Sequence, residues 1–167
     1  SAATHHGACT GASCPVTGVT GRINQAPLFT TAGHDSVLLS NFGNFGTATV
    51  SAWVYRTEST PARETIVSYK EDQTCGFVLA INDDGANQHP VFFARVDNGG
   101  SGAWQEAEFA EAVPLNTWVH LAGVYDGQKV RLYRNGQEVA STDAPGVLHQ
   151  CTGNTAIGSR SSQELHF

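Results

Sequence analysis

From about residue 26 onward, apolar and polar side chains alternate in short runs that turn residues interrupt. Period-two alternation is typical of a β-strand with one buried face, because successive side chains point to opposite sides of the strand. One such run is Thr47–Thr57. One of its faces would present the small apolar side chains of Ala48, Val50, Ala52 and Val54. The other face would present the polar and aromatic side chains of Thr49, Ser51, Trp53 and Tyr55.

Further runs of this kind follow along the chain, most of them bounded by Gly, Pro, Asn or Asp. They are Val37–Leu39, Thr65–Lys70, Gly76–Asn82, Pro90–Val96, Trp104–Glu111, Trp118–Tyr125, Lys129–Arg134, Gln137–Ala140 and Thr155–Gly158. Asn135-Gly136 is the strongest hairpin signal and predicts a type I′ turn. No stretch shows the apolar spacing of an amphipathic helix. The pattern predicts an all-β fold, an antiparallel β-sandwich of about 10–14 strands without a long helix.

The N-terminal residues 1–25 differ from the rest, because they are rich in Gly, Thr, Ser and Ala and have no apolar periodicity. We expect an irregular segment there, held by a small disulfide, followed by one β-sandwich domain over residues 26–167. A chain of 167 residues suits a single domain.

Composition and charge narrow the range of partners. The formal net charge is −6, which argues against a nucleic acid or an anionic membrane surface as partner. No apolar run approaches the ~20 residues that cross a bilayer, so membrane insertion is not expected.

The four cysteines, Cys9, Cys14, Cys75 and Cys151, form no CxxC pair, and the histidines are scattered. This spacing does not suggest a zinc or thioredoxin-type site. Two disulfides are expected, and three connectivities are open. Local closure favours Cys9–Cys14, which leaves Cys75–Cys151. Disulfides indicate an oxidising compartment and hence an extracellular protein; the alternative is four reduced thiols in the cytosol.

Three segments occur in a fixed order and are the most informative part of the sequence: Ala48–Val54 (ATVSAWV), Pro114–Gly127 (PLNTWVHLAGVYDG), and Val130–Gly136 (VRLYRNG) with the later Ala156–Ser159 (AIGS). Together they resemble the laminin-G-like, concanavalin A-like lectin/glucanase superfamily over roughly residues 26–167. The resemblance implies a jelly-roll sandwich. Lectins, adhesion modules, glycanases and spacers all use this fold, so it does not fix the function.

The resemblance also implies calcium as the candidate cofactor, with Asp35 as the candidate ligand. Thr31 and Ala32 stand where relatives have an Asp-Gly step, so Asp35 is the one retained acid of the segment Phe29–Val37. Relatives continue into a closing strand where this sequence has Leu165–Phe167. We therefore expect an unpaired sheet edge, filled by a continuation of the chain, by a strand donated from a neighbouring molecule, or by the N-terminal segment.

Three glutamates are the candidate catalytic group. Glu106, Glu108 and Glu111 superficially match the ExDxxE pattern of laminarinase-type glycoside hydrolases, and retaining hydrolysis needs two carboxyl groups close together. The middle residue is Glu rather than Asp, however, and a solvated polar edge strand has the same composition. No catalytic residue is therefore assigned.

Aromatic side chains are the candidate ligand contacts, since an aromatic ring suits the apolar face of a sugar. We select Trp104 and Tyr69, together with Asp97. Trp53 and Trp118 occur in the family segments and are expected in or near the core. His120 is expected as a packing residue. The turn acids Asp72, Asp83, Asp84 and Asp97 would line a cation-binding rim or, more simply, satisfy hairpin turns.

The sequence therefore favours a non-enzymatic extracellular binding module whose partner is a glycan or an extracellular protein. The alternatives are an assembly domain of a surface fibre, pilus or viral appendage that associates by strand donation, and a glycan hydrolase.

Overall fold

The computed structural model describes residues 7–30, 32–40, 43–59, 63–69, 75–82, 88–99, 102–149 and 152–159. These residues form fourteen β-strands and a three-residue 3-10 helix, Gly11–Ser13. The strands are β1 (Gly7–Ala8), β2 (Val16–Thr20), β3 (Gln25–Leu28), β4 (Val37–Leu39), β5 (Ala48–Tyr55), β6 (Glu64–Tyr69), β7 (Phe77–Asn82), β8 (His89–Asp97), β9 (Ala103–Glu108), β10 (Trp118–Tyr125), β11 (Lys129–Arg134), β12 (Gln137–Asp143), β13 (Val147–Leu148) and β14 (Thr155–Ile157). The predicted all-β class is confirmed. No helix in the described ranges is long and apolar enough to cross a membrane.

The strands form two main antiparallel sheets. The larger sheet has the order β1-β4-β14-β6-β7-β8-β13, with β9 also paired to β8. The smaller sheet has the order β12-β11-β10-β5. Asn135 and Gly136 connect β11 to β12, and both have positive φ angles (52° and 83°), as the predicted type I′ turn requires.

One hydrophobic core contains side chains from both sheets. Leu79 and Phe92 of the larger sheet belong to the same cluster as Leu121 of β10 and Leu132 of β11, and all four are fully buried. Burial of an aliphatic or aromatic side chain contributes roughly 1.5–3 kcal/mol. The apolar face predicted for β5 turns inward, with Val54 buried. The opposite face of β5 is therefore the outer face of the smaller sheet.

Part of the N-terminal segment is regular, contrary to expectation. Strands β2 and β3 form an antiparallel hairpin of their own. Its period-two pattern is broken by a bulge between Val16 and Val19, where Gly18 has φ 85°. An extra residue in one strand shifts the following side chains to the other face, which removes the alternation that reveals a strand.

The β2–β3 hairpin faces the edge of β5. Within the described residues β5 pairs with β10 on one side and with no strand on the other. Between this edge and the hairpin lies a mainly apolar cavity of about 320 Å³, lined among others by Val19, Leu28, Val54 and Ile157. The edge of β5 is thus one of the sheet edges next to which a further strand could lie. The three ways of filling it stay predictions.

The predicted local disulfide is confirmed, since Cys9 and Cys14 are bonded. Cys75 is fully buried and is not a free thiol. Its predicted partner Cys151 lies outside the described residues, as do the turn acids Asp72, Asp83 and Asp84. The Cys75–Cys151 pair stays a prediction.

Candidate functional site

Four aromatic side chains lie together on the outer face of the smaller sheet. Strands β5 and β10 are antiparallel, with His120 opposite Trp53 and Trp118 opposite Tyr55. The ring centroids of Trp53 and His120 are 5.3 Å apart, and those of Tyr55 and Trp118 are 5.2 Å apart. Residues two apart on a strand are about 7 Å apart, so the two ring pairs form one continuous patch. We call these four residues the aromatic platform.

The aromatic platform is accessible to a ligand. Trp53 is 40% exposed and Tyr55 39% exposed, while Trp118 and His120 are half-buried. The expectation that Trp53 lies in or near the core is therefore wrong. The signal was present in the sequence, because the alternation in β5 already places Trp53 on the same face as Thr49 and Ser51, opposite the small apolar residues.

Two further residues complete the site from neighbouring turns. Arg22, in the turn between β2 and β3, holds its guanidinium carbon 5.0 Å from the centroid of the Trp53 ring. Asn135, in the turn between β11 and β12, accepts a hydrogen bond from the backbone N–H of His120 (3.0 Å). The backbone N–H of Asn135 donates to the carbonyl of His120 (2.8 Å). An open depression of about 500 Å³ is lined by Arg22, Trp53, Trp118, His120 and Asn135.

The polar groups of this depression are mostly hydrogen-bond donors. The guanidinium of Arg22, the indole N–H groups and the side-chain NH₂ of Asn135 all donate. The side-chain oxygen of Asn135 is already used by the backbone of His120. No Asp or Glu lines the depression in the described part of the chain. A depression with apolar rings and such polar groups is typical of a ligand site.

Tyr69, the first of the sequence-predicted ligand contacts, lies in the core. It is 2% exposed, its ring stacks on Phe77 with centroids 5.0 Å apart, and its hydroxyl donates to the carbonyl of Gly43. Burial raises the pKa of this hydroxyl above its usual value. Tyr69 thus presents no ring face at the surface, and we remove it from the candidate ligand contacts.

Trp104 lies near the start of β9 in the larger sheet, next to the end of β8 at which Asp97 lies. Trp104 pairs with Arg95, whose guanidinium carbon is 6.0 Å from the centroid of the indole ring. Asp97 accepts a hydrogen bond from the backbone of Gly99 (2.9 Å), and its other oxygen lies 3.6 Å from Nδ1 of His149. The structure brings these two candidates near each other, but Asp97 also has the turn role that its sequence context suggests. Their part in ligand binding stays a prediction.

The three candidate glutamates do not converge. Glu106 and Glu108 share the outer face of β9, and the carboxylate of Glu108 contacts the imidazole of His89. Glu111 lies beyond the end of β9 and pairs with Arg134 of the smaller sheet (3.2 Å). β9 pairs with β8 without a bulge and ends at Glu108, so Glu111 does not join the other two glutamates on that face.

Asp35, the candidate calcium ligand, is bonded within the protein. It is 3% exposed, and its Oδ2 accepts hydrogen bonds from the backbone N–H (2.7 Å) and the hydroxyl (2.8 Å) of Thr30. Calcium takes about six to eight oxygens, several of them from carboxylates. Among the described residues no group of three or more His, Cys, Asp or Glu side chains is placed to hold a metal. These residues do not fit a calcium site, and we derive no function from the ion.

Comparison with known families identifies most of the chain. A family model described as the concanavalin A-like lectin/glucanases superfamily matches residues 31–167. Among curated proteins there is no match.

Solved structures of similar fold include carbohydrate-binding proteins. One is domain 4 of AbnA, an extracellular GH43 arabinanase from Geobacillus stearothermophilus, in complex with arabinotriose (TM-score 0.62, 22% identity, covering 83% of this chain and 63% of that one). Another is the CBM40 module of the Ruminococcus gnavus IT-sialidase bound to α2,3-sialyllactose (TM-score 0.50, 22% identity, 74% of this chain and 68% of that one). The chain thus spans less than two thirds of the arabinanase domain. At this identity the likeness shows the fold.

Proposed function

The chain belongs to the concanavalin A-like lectin/glucanase superfamily, and we propose that it is a non-catalytic, extracellular carbohydrate-binding module that binds saccharides on its aromatic platform. The observation on which this proposal rests is the group of accessible rings beside unused hydrogen-bonding groups. An oxidising compartment agrees with the Cys9–Cys14 disulfide.

The chemistry of the platform suits a sugar. The rings of Trp53 and Trp118 offer apolar faces against which the C–H groups of a pyranose can pack. The indole N–H groups, the Asn135 amide and the His120 ring nitrogens can bond the sugar hydroxyls at the edge of the ring. The neighbouring rings hold one another, so little side-chain freedom is lost on binding.

The structural comparisons support the same class of ligand. Two proteins of similar fold were solved with arabinotriose and with sialyllactose bound, and both ligands are saccharides. Other proteins of this fold therefore bind oligosaccharides. Which ligand this chain binds has to be inferred from its own residues.

A glycan microarray followed by titration calorimetry with the strongest ligand tests the proposal. We expect Trp53→Ala and Trp118→Ala to reduce affinity by at least about tenfold, since each removes a ring that packs on the ligand. Trp104→Ala removes an indole from the larger sheet and tests that other candidate ligand contact. If the aromatic platform is the site, Trp104→Ala should leave affinity unchanged. Each variant is checked for folding by its thermal transition.

Two results contradict the proposal. Absence of binding to every saccharide on the array would refute a carbohydrate-binding function. Loss of binding in Trp104→Ala with unchanged binding in Trp53→Ala would place the site on the larger sheet.

The second candidate function is assembly by strand addition. It is favoured by the edge of β5, which has no strand neighbour among the described residues and borders an apolar cavity. Unpaired edge strands associate with other chains unless they are covered. If a second copy of this chain adds there, sedimentation velocity will show an oligomer that grows with concentration; a monomer at all concentrations contradicts assembly.

A further inference from the structure

Arg22 has no carboxylate within ion-pair distance among the described residues, unlike four other cations of this protein. Four others each lie within ion-pair distance of an acid: Arg56 with Glu64, Lys129 with Asp143, Arg131 with Asp126 and Arg134 with Glu111. Arg22 is exposed and instead lies over the Trp53 ring, 5.0 Å from its centroid. An arginine on an aromatic face is held in place while its N–H groups stay free to bond.

The hydrogen-bonding groups around Arg22 are also mostly donors. The depression is lined by one guanidinium, two indoles, one imidazole and one amide whose oxygen is already bonded. It therefore offers many donors and few acceptors. A neutral sugar brings hydroxyls that need both donors and acceptors. A carboxylate or sulfate brings acceptors only, and it can accept two parallel bonds from a guanidinium.

We infer that the aromatic platform selects negatively charged saccharides, with the acidic group of a uronic, sialic or sulfated sugar bound by Arg22 and the sugar ring packed on Trp53 and Trp118. This inference rests on the proposed carbohydrate-binding function and specifies its ligand class.

The net charge of −6 does not prevent such binding. At physiological ionic strength the Debye length is about 8 Å, so charges farther from the site are largely screened. The guanidinium contacts the anion directly, and the described lining adds no carboxylate to oppose it. Salt should still weaken the interaction, because the site is open to solvent.

The test compares acidic oligosaccharides with their neutral counterparts by titration calorimetry. The pairs are oligogalacturonate and its carboxyl-reduced form, sialyllactose and lactose, and a sulfated galactan oligosaccharide and its desulfated form. We expect an acidic member to bind at least about tenfold more tightly than its neutral partner, with the difference falling as sodium chloride is raised. The pair that shows the difference identifies the acidic group as carboxylate or sulfate.

Arg22→Gln keeps a hydrogen-bond donor but removes the charge, so it should abolish the preference for the acidic member. The matched control is Lys129→Gln, which removes one positive charge from a pair between Lys129 and the largely exposed Asp143 on the same sheet. It should keep the preference. Arg22→Lys should restore part of it, because an ammonium retains the charge but not the fork geometry.

The results separate this inference from the proposed function. If acidic and neutral members bind equally and Trp53→Ala still loses both, the platform binds sugars without charge selection and the inference is wrong. An equal loss of preference in Lys129→Gln and Arg22→Gln would also overturn it, because overall charge would then explain the effect. If no saccharide binds the wild-type protein, the proposed function and this inference both fail.

Discussion

Trp53 and His120 face each other across β5 and β10, with their ring centroids 5.3 Å apart and their planes inclined by 58°. A tilted pair at this separation has the geometry that aromatic rings prefer. His120 therefore acts as a positioning residue for the indole, in addition to the hydrogen bonds that its ring nitrogens offer.

Replacing His120 tests this role. We expect His120→Ala to weaken saccharide binding roughly two- to twelvefold, because an aromatic pair contributes about 0.5–1.5 kcal/mol and its loss frees the Trp53 side chain. Titration calorimetry measures the change. His120→Phe keeps the ring contact and should recover part of the affinity; equal affinity for His120→Phe and His120→Ala would show that ring packing is not involved.

The middle of β10 has no room for a side chain at Gly123. A Cβ built there would lie 2.1 Å from the Cδ2 atom of Phe92, which is fully buried. Gly123→Ala should therefore destabilise the fold by about 1–3 kcal/mol through overpacking, even though alanine suits a strand better than glycine does. For a chain of this size that lowers the melting temperature by roughly 2–4 °C per kcal/mol.

Gly46→Ala is the matched control, since no atom lies within 4 Å of a Cβ built at Gly46. Its melting temperature should stay close to that of the wild type. In the double variant Gly123→Ala/Phe92→Leu the smaller side chain makes room, so the two losses should not add. Full additivity would contradict a clash with Phe92.

Arg56 and Glu64 form an ion pair inside the sandwich. The Nε and Nη2 atoms of Arg56 lie 2.7 and 2.6 Å from the two carboxylate oxygens of Glu64, and both side chains are almost fully buried. Nη1 donates to the carbonyl of Val113 (3.0 Å).

Glu64→Gln would leave the buried guanidinium of Arg56 without a counterion. We therefore expect the free energy of unfolding, measured in urea, to fall by about 3–5 kcal/mol. The same change at the exposed Glu138, which lies 3.5 Å from Arg131, should cost at most about 1 kcal/mol. Similar losses in the two variants would show that the Arg56–Glu64 pair is not desolvated.

The sequence predicted the fold because strands such as β5 have one buried face and alternate accordingly. Alternation in β5 and the Asn135-Gly136 turn are local signals, and the structure contains both elements. The β2–β3 hairpin was missed for a local reason as well, because its bulge at Gly18 interrupts the alternation.

The site was harder to predict than the fold, because it depends on which rings meet across strands. Trp53 was assigned to the core on the strength of the family pattern, although its own alternation placed it outside. Tyr69 was taken as a ligand contact, but its burial follows from packing on Phe77 in another strand, which no local pattern contains. Arg22 is far in sequence from Trp53 and reaches it through the hairpin that the sequence did not reveal.

Asp126 stabilises the turn between β10 and β11 through hydrogen bonds, and its ionisation makes the stability of the fold depend on pH. Its side chain accepts a hydrogen bond from Arg131 and further bonds from the backbone N–H groups of Gln128 (2.9 Å) and Lys129 (2.8 Å). These bonds lower the pKa of Asp126 from 3.8 to about 2, the bond to Arg131 contributing most. Since the folded protein holds the ionised form, the stabilisation is fully present above about pH 4 and is lost as the pH falls towards 2.

Thermal unfolding of the wild type and Asp126→Asn between pH 2 and 5 measures this contribution. The asparagine variant should be less stable near pH 5, and the gap should close as the pH falls through the window from about 4 to about 2. Arg131→Gln removes the main cause of the lowered Asp126 pKa. In an Arg131→Gln background, the difference in stability that Asp126→Asn causes should therefore disappear at a higher pH. A gap that does not change with pH would contradict the assignment.

The proposal of a non-catalytic module predicts that this chain does not hydrolyse glycans, and this can be measured directly. Retaining hydrolysis needs two carboxyl groups about 5–5.5 Å apart, one as nucleophile and one as acid and base. Glu108 contacts His89, and Glu111 is paired with Arg134 on the smaller sheet, so Glu106 lacks the triad that the sequence pattern suggested. We expect β-glucan and the saccharides bound on the array to release no reducing ends above background, and Glu106→Gln to match the wild type in both hydrolysis and binding. Hydrolysis by the wild type that disappears in Glu106→Gln would instead make the outer face of β9 an active site, and the platform on the opposite sheet would then be a separate substrate-binding surface.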